Sequence, residues 1–132
     1  MIEVACAIIE KDGLVLAAQR SERMSLPLKW EFPGGKIEPG ETAEECLCRE
    51  LFEEMGISVA VKKCLPASTY HYPKASVTLY PFVCSIASGE IVLDEHAAIN
   101  WLPPEELQNL DWAEADVAVI ESYLATCESC SR

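Results

Sequence analysis

Residues 43–55 read Ala-Glu-Glu-Cys-Leu-Cys-Arg-Glu-Leu-Phe-Glu-Glu-Met, and no other stretch so narrows what the chain can form. Thr42 followed three residues later by Glu45 is a capping box, which predicts Thr42 as an N-cap. Gly56 supplies the left-handed residue that ends a helix. The predicted helix therefore runs from Ala43 to Met55. At 100° per residue, Glu50, Glu53 and Glu54 fall within an arc of about 100°. Leu47, Cys48, Leu51, Phe52 and Met55 are assigned to a separate, core-facing side. Like charges at these spacings repel by roughly a few tenths of a kcal/mol per pair. They also stand late in the helix, where the dipole disfavours anions. A hard divalent cation with oxygen ligands would relieve the repulsion. The competing reading is a solvated acidic helix face with no chemistry.

The rest of the chain supplies strands to pack this helix on. Residues 2–10 and 14–19 read as strands joined by a turn at Lys11-Asp12-Gly13. Residues 20–29 form a loop, and residues 30–40 carry a strand end and a turn through Gly34-Gly35 and Pro39-Gly40. Residues 58–72 and 76–87 are β-rich, broken at Pro73-Lys74, and 98–102 is a short strand. Pro103 and Pro104 suit a first helical turn over 103–109. A last helix is expected over 113–125, with Val117, Ile120, Tyr123 and Leu124 on one side. This order implies a mixed sheet with helices on its faces.

The 132 residues fit one domain, 1–132, and half of them are hydrophobic, enough for a core. The net charge of −12 argues against binding a nucleic-acid polymer. It leaves room for a nucleotide, whose phosphates a divalent cation can bridge to carboxylates. No apolar run approaches the ~20 residues of a membrane span, and the start of the chain lacks a signal-peptide pattern. An odd count of seven cysteines suits a reduced, cytoplasmic protein. Cys127 and Cys130 have no second pair to complete a metal site, so free thiols on a mobile tail, 126–132, are expected.

Gly35, Glu41, Arg49-Glu50-Leu51, Glu53-Glu54 and Gly56-Ile57 together resemble the box of the Nudix hydrolases, Gly-x5-Glu-x7-Arg-Glu-apolar-x-Glu-Glu-x-Gly-apolar. The run Trp30-Glu31-Phe32-Pro33-Gly34-Gly35-Lys36-Ile37-Glu38 and the segments 101–107 and 110–116 are similar to the MutT and CTP-pyrophosphohydrolase branch of that family. The likeness covers roughly residues 2–124. It implies an α+β fold, an α/β/α sandwich with a mixed β-sheet. It also implies a Mg2+-dependent pyrophosphohydrolase, with Mn2+ as a possible substitute. The implied substrate is a small nucleoside triphosphate of the (d)CTP type or an oxidised one such as 8-oxo-dGTP. The oligomeric state left open is a monomer or weak homodimer. Two alternatives remain: a Nudix hydrolase of ADP-ribose or a dinucleotide, and a non-catalytic nucleotide-binding module.

The resemblance also assigns residues. Glu53 and Glu54 match the metal-ligating pair, and Glu50 matches a further ligand or water-activating residue. The backbone of Gly34 or Gly35 can approach an ion closely. Arg49 is expected to orient a box carboxylate by bidentate hydrogen bonds. Glu95 falls where some members place another ligand, and His96 beside it is expected to be an exposed loop residue. Arg20, with Lys36 as the weaker candidate, would contact phosphates. Val4, Cys6 and Phe32 match an apolar base sandwich. Asp116 falls where MutT has an Asn that reads the base, and an ionised Asp there would only accept hydrogen bonds. Tyr72-Pro73-Lys74-Ala75 departs from the Asp-Arg pair that MutT carries, so strict 8-oxo-dGTP selectivity is not expected.

Overall fold

An apolar run along β1 (Ile2–Lys11) is buried on both faces, which is where a parallel strand belongs. The computed structural model describes residues 1–93 and 96–130, the last four by backbone alone. β1 pairs in parallel with β7 (Ser76–Ser88), from Ile2 opposite Val77 to Ile9 opposite Cys84. Every other strand pairing among the described residues is antiparallel. β2 (Leu14–Gln19) joins the end of β1 and carries β3 (Trp30–Glu31) and β8 (Ala98–Leu102). β4 (Gly34–Lys36) lies along the other half of β1. β5 (Ser58–Cys64) and β6 (Ser68–His71) both pair with β7, so the expected strand 58–72 is two strands.

Side chains of β1 alternate between two cores. Ala5, Ala7 and Ile9 pack under α1 (Ala43–Met55) with Leu47, Leu51 and Met55. Cys6 and Ile8 pack under α2 (Glu114–Cys130) with Val119, Ile120 and Tyr123. The result is a mixed sheet between two helices, the expected sandwich. α2 begins one residue later and ends five residues beyond the expected Ala125. Pro104–Asn109 forms a 3-10 helix. No helix among the described residues is long and apolar enough to cross a membrane.

α1 has the predicted bounds because its signals are local. Thr42 and Glu45 form both halves of the capping box, and Gly56 closes the helix at φ 71°. Its two faces, however, are not separate. Cys46, Leu47, Leu51 and Met55 are buried, while Cys48 is exposed and Phe52 is 65% exposed. At 100° per residue, Cys46, Glu50, Glu54, Leu47, Leu51 and Met55 follow one another round an arc of roughly 180°. Glu50 and Glu54 thus stand inside the sheet-facing arc, and Cys48 and Phe52 lie beyond its edge. The same correction applies to α2. Ala115, Val119, Tyr123, Asp116 and Ile120 span a buried arc of roughly 140°. Val117, expected to face in, is 45% exposed.

This rotation has a measurable consequence. Leu51→Ala should cost roughly 2–5 kcal/mol, whereas Phe52→Ala should stay within about 1 kcal/mol. Urea unfolding of both variants checks it, and equal costs would contradict the placement of Phe52.

Candidate active site

Of the predicted metal-binding carboxylates, Glu50 lies where α1 crosses β4. Gly34 and Gly35 lie opposite Cys6 and Ala5 of β1. A Cβ on Gly34 would overlap the Ala5 carbonyl oxygen, and a Cβ on Gly35 would overlap the carboxyl carbon of Glu50. The paired glycines therefore let β4 press on β1 while Glu50 folds onto β4. The side chains of Glu50 and Glu41 are each only 17% exposed, whereas Glu53 is 55% exposed. Glu54 is half-buried, with its Oε2 closed off from solvent.

Arg49 gathers this patch. Its Nη2 and Nε donate to the two oxygens of Glu41 at 2.7 and 3.1 Å. Its Nη1 donates to Glu50 Oε1 at 2.9 Å and reaches Glu53 Oε2 at 3.4 Å. Its Nη2 also reaches the Lys36 carbonyl at 3.4 Å. The expected bidentate partner is thus Glu41, in the turn before the helix. The Arg49 hydrogen bonds, helped by the Glu38 amide N–H, hold the Glu41 carboxyl down to about 2. In return Arg49 is held firmly charged. Cys46 lies beneath, its thiol donating to the Lys36 carbonyl at 3.2 Å. Burial, then the Glu41 bond, push that thiol up to about 12, so it acts as a tie and not a nucleophile.

These donors suit a hard divalent cation: all are oxygens, and one arginine charge does not neutralise them. Among the described residues no three acidic, His or Cys groups already close round a point. Glu95 lies outside the described residues, as do the side chains of Cys127 and Cys130.

A second group forms on the α2 side of the same strand pair. Cys6 and Phe32 are 1% and 3% exposed, and partly buried Val4 packs with them. The Phe32 ring lies 4.8 Å from that of Trp112, and the Phe32 N–H donates to Asp116 Oδ2 at 3.0 Å. Asp116 is 6% exposed. Burial pushes its carboxyl up to about 8, against the pull of the Phe32 bond, with Glu31 raising it further. The expectation of a purely accepting, ionised Asp116 is therefore corrected: near neutral pH it holds its proton and can also donate.

Two other residues meet at Glu31. Arg20 is engaged within the protein, donating to Glu31 Oε1 at 2.6 Å and to the Ser25 carbonyl at 2.5 Å. His96, expected to be exposed, has a side chain only 6% exposed, with Nε2 2.8 Å from Glu31 Oε2. Glu31 thus fastens the loop after β2 and the segment before β8 to β3. Nothing in local periodicity marked it, because its partners are 11 and 65 residues away. Lys36 keeps an exposed side chain at the β4 edge.

Comparison with known proteins gives the family. The NUDIX domain model matches residues 1–123. The CTP pyrophosphohydrolase of Escherichia coli K12 is 37% identical over 125 residues, covering 95% of this chain and 93% of that protein. The 8-oxo-dGTP diphosphatase of the same organism is 31% identical, covering 90% of this chain and 93% of that protein. The solution structure of the E. coli ORF135 protein superposes with a TM-score of 0.82 at 36% identity, covering 95% of this chain and 89% of that one. The chain belongs to the Nudix family. Nudix hydrolases generally need a divalent metal ion.

Two shifted carboxyls predict opposite pH behaviour. Glu41 titrates lower folded than unfolded, so its contribution to stability is present above its ordinary value of 4.5 and is lost as pH falls towards about 2. Glu41→Gln should flatten that acid limb. Asp116 titrates higher folded than unfolded. Its contribution is present below 3.8 and is lost as pH rises to about 8. Asp116→Asn keeps an acceptor for Phe32 N–H and should abolish that decline. Thermal melts from acid to mildly alkaline pH test both. An Asp116→Asn curve parallel to that of the parent would refute the buried, protonated carboxyl.

Proposed function

We propose that this chain is a Mg2+-dependent nucleoside triphosphate pyrophosphohydrolase that releases a nucleoside monophosphate and pyrophosphate. Its substrates are (d)CTP-type nucleotides, oxidised nucleotides such as 8-oxo-dGTP, or both. The observation that carries the reading is the presence of Glu50 and Glu54 within the sheet-facing arc of α1, beside Glu53. Carboxylates so placed repel one another, and a divalent cation would relieve that repulsion. The names of the relatives support the substrate class, and complete box carboxylates oppose a non-catalytic module. A net charge of −12 favours a free nucleotide over a polymer. Free Cys6, Cys46, Cys48, Cys64 and Cys84 fit a reducing, cytoplasmic setting.

Glu50, Glu53 and Glu54 would hold Mg2+ or Mn2+, with the Gly34 carbonyl and Glu95 as further ligands. Bound there, the metal offsets phosphate charge and makes a water more acidic. Arg49 fixes Glu50 through Oε1, so that Oε2 would serve either the ion or the proton of an attacking water. Arg49 also keeps Glu53 close enough to share the ion. Val4, Cys6 and Phe32 would enclose the base, while Asp116 meets its polar edge. A protonated Asp116 offers both a donor and an acceptor, which suits cytosine and oxidised guanine alike. Arg20, through its bond to Glu31, would shape the loop over the phosphates, and Lys36 would approach them from the β4 edge.

The test is pyrophosphate release from CTP, dCTP and 8-oxo-dGTP, with ADP-ribose as the competing substrate. Glu53→Gln and Glu54→Gln should each lower kcat by about 100-fold or more at saturating Mg2+, with the melting temperature unchanged or raised. A near-normal rate in either variant would overturn its assignment. Faster turnover of ADP-ribose than of every triphosphate would overturn the substrate class.

A further inference from the structure

Tyr72 is a partly buried phenol that the triphosphate chemistry above does not use. It opens the connection between β6 and β7, just after the pair His71 opposite Ser76. Its own N–H donates to the Ala75 carbonyl at 2.9 Å, so its backbone is fixed by a tight turn. Its ring packs 4.7 Å from that of Tyr70 and belongs to the same apolar cluster as Val4, Cys6 and Phe32. Its hydroxyl oxygen accepts the Ala115 N–H at 3.0 Å, in the first turn of α2, one residue before Asp116. That N–H is one of the donors a helix start leaves without an intrahelical partner. The phenolic proton itself has no acceptor among the described residues. A hydroxyl whose oxygen is engaged and whose proton is not is a directed donor.

We propose that Tyr72 is a specificity-determining residue of the base site, its O–H donating to an acceptor atom on the nucleobase beside Asp116. This inference rests on the pyrophosphohydrolase reading. Phe32, Asp116 and Tyr72 are gathered round the first turn of α2, Phe32 and Asp116 by one hydrogen bond and Tyr72 and Ala115 by another. Burial raises the phenol above its ordinary value against the pull of the Ala115 N–H, and nearby Glu114 and Asp116 raise it further. The hydroxyl therefore keeps its proton at any pH at which the enzyme works. Asp116 and Tyr72 then present two polar positions to one base edge, one of either sign and one donating. The competing role is a helix cap alone, in which Tyr72 satisfies Ala115 and touches no ligand.

Tyr72→Phe separates these, because it retains the ring and deletes the hydroxyl. kcat/KM is measured for CTP, dCTP, 8-oxo-dGTP and an abasic deoxyribose triphosphate, together with the melting temperature. The expected result is a loss of roughly 10-fold or more on at least one base-bearing substrate. The abasic compound should change by less than about twofold, and the ranking of bases should shift. The same factor lost on all four substrates, or a fall in melting temperature with every ratio fixed, overturns the proposal in favour of the cap. If the variant melts below the assay temperature, 3-fluorotyrosine placed at position 72 gives the answer. Its stronger O–H donor should raise kcat/KM for base-bearing substrates relative to the abasic one, and fixed ratios overturn the proposal. Failure of the parent chain to hydrolyse any triphosphate refutes the functional reading instead, and is distinguishable because it does not depend on Tyr72.

Discussion

The Arg49 guanidinium is what allows a helix to carry its carboxylates into the protein. Glu41, Glu50 and Glu53 all lie within hydrogen-bond reach of it, and Glu38 forms a longer ion pair at 3.8 Å. Here the bidentate grip on Glu41 joins the pre-helix turn to the helix, and the bond to the Lys36 carbonyl joins the helix to β4. The clamp therefore ties α1 both to the turn before it and to β4. One positive charge among so many carboxylates leaves the patch strongly anionic. It is stable enough to fold and still attractive to a cation.

Capping and the box spacing were legible because both are local. Thr42, Glu45 and Gly56 fixed the ends of α1 before any partner was known. The rotation of the helix was not legible in the same way. An apolar list placed Cys48 and Phe52 inside, but the sheet meets the arc centred near Glu54 and Leu47. Only the missing Cβ of Gly35 makes room there for Glu50. Val117 and Val119 repeat the point in α2, where two similar side chains two residues apart face opposite environments. Hydrophobicity identifies a helix with a buried side, whereas packing decides which side that is.

The residues proposed for the base were legible as a set and not as chemistry. Val4, Cys6, Phe32 and Asp116 do come together. What could not be read was their linkage through Glu31, His96, Trp112 and Tyr72, each joined to its partner across a long stretch of chain. Arg20 shows the limit most clearly. Its charge and position suggested a phosphate contact, and three of its five N–H donors are taken up by Ser25 and Glu31. A sequence reveals a cation but not whether the fold has already claimed it.

The two halves also divide the acidity of the chain. On the α1 side, a guanidinium and a backbone amide hold Glu41 down to about 2, so its charge survives at any ordinary pH. On the α2 side, burial lifts Asp116 to about 8, and its charge is suppressed. The same functional group is thus kept anionic where phosphate-bridging metal would sit and neutral where a nucleobase would sit. Burying an ionised carboxylate against an uncharged base would leave its desolvation uncompensated. Protonation removes that penalty and adds a donor. The β1–β4 ladder separates the two environments by no more than the thickness of a sheet, because alternate residues of a strand face opposite sides. A molecule with an anionic tail and a neutral, hydrogen-bonding head fits this polarity; two charged ends or two neutral ones would leave one half of the site unmatched.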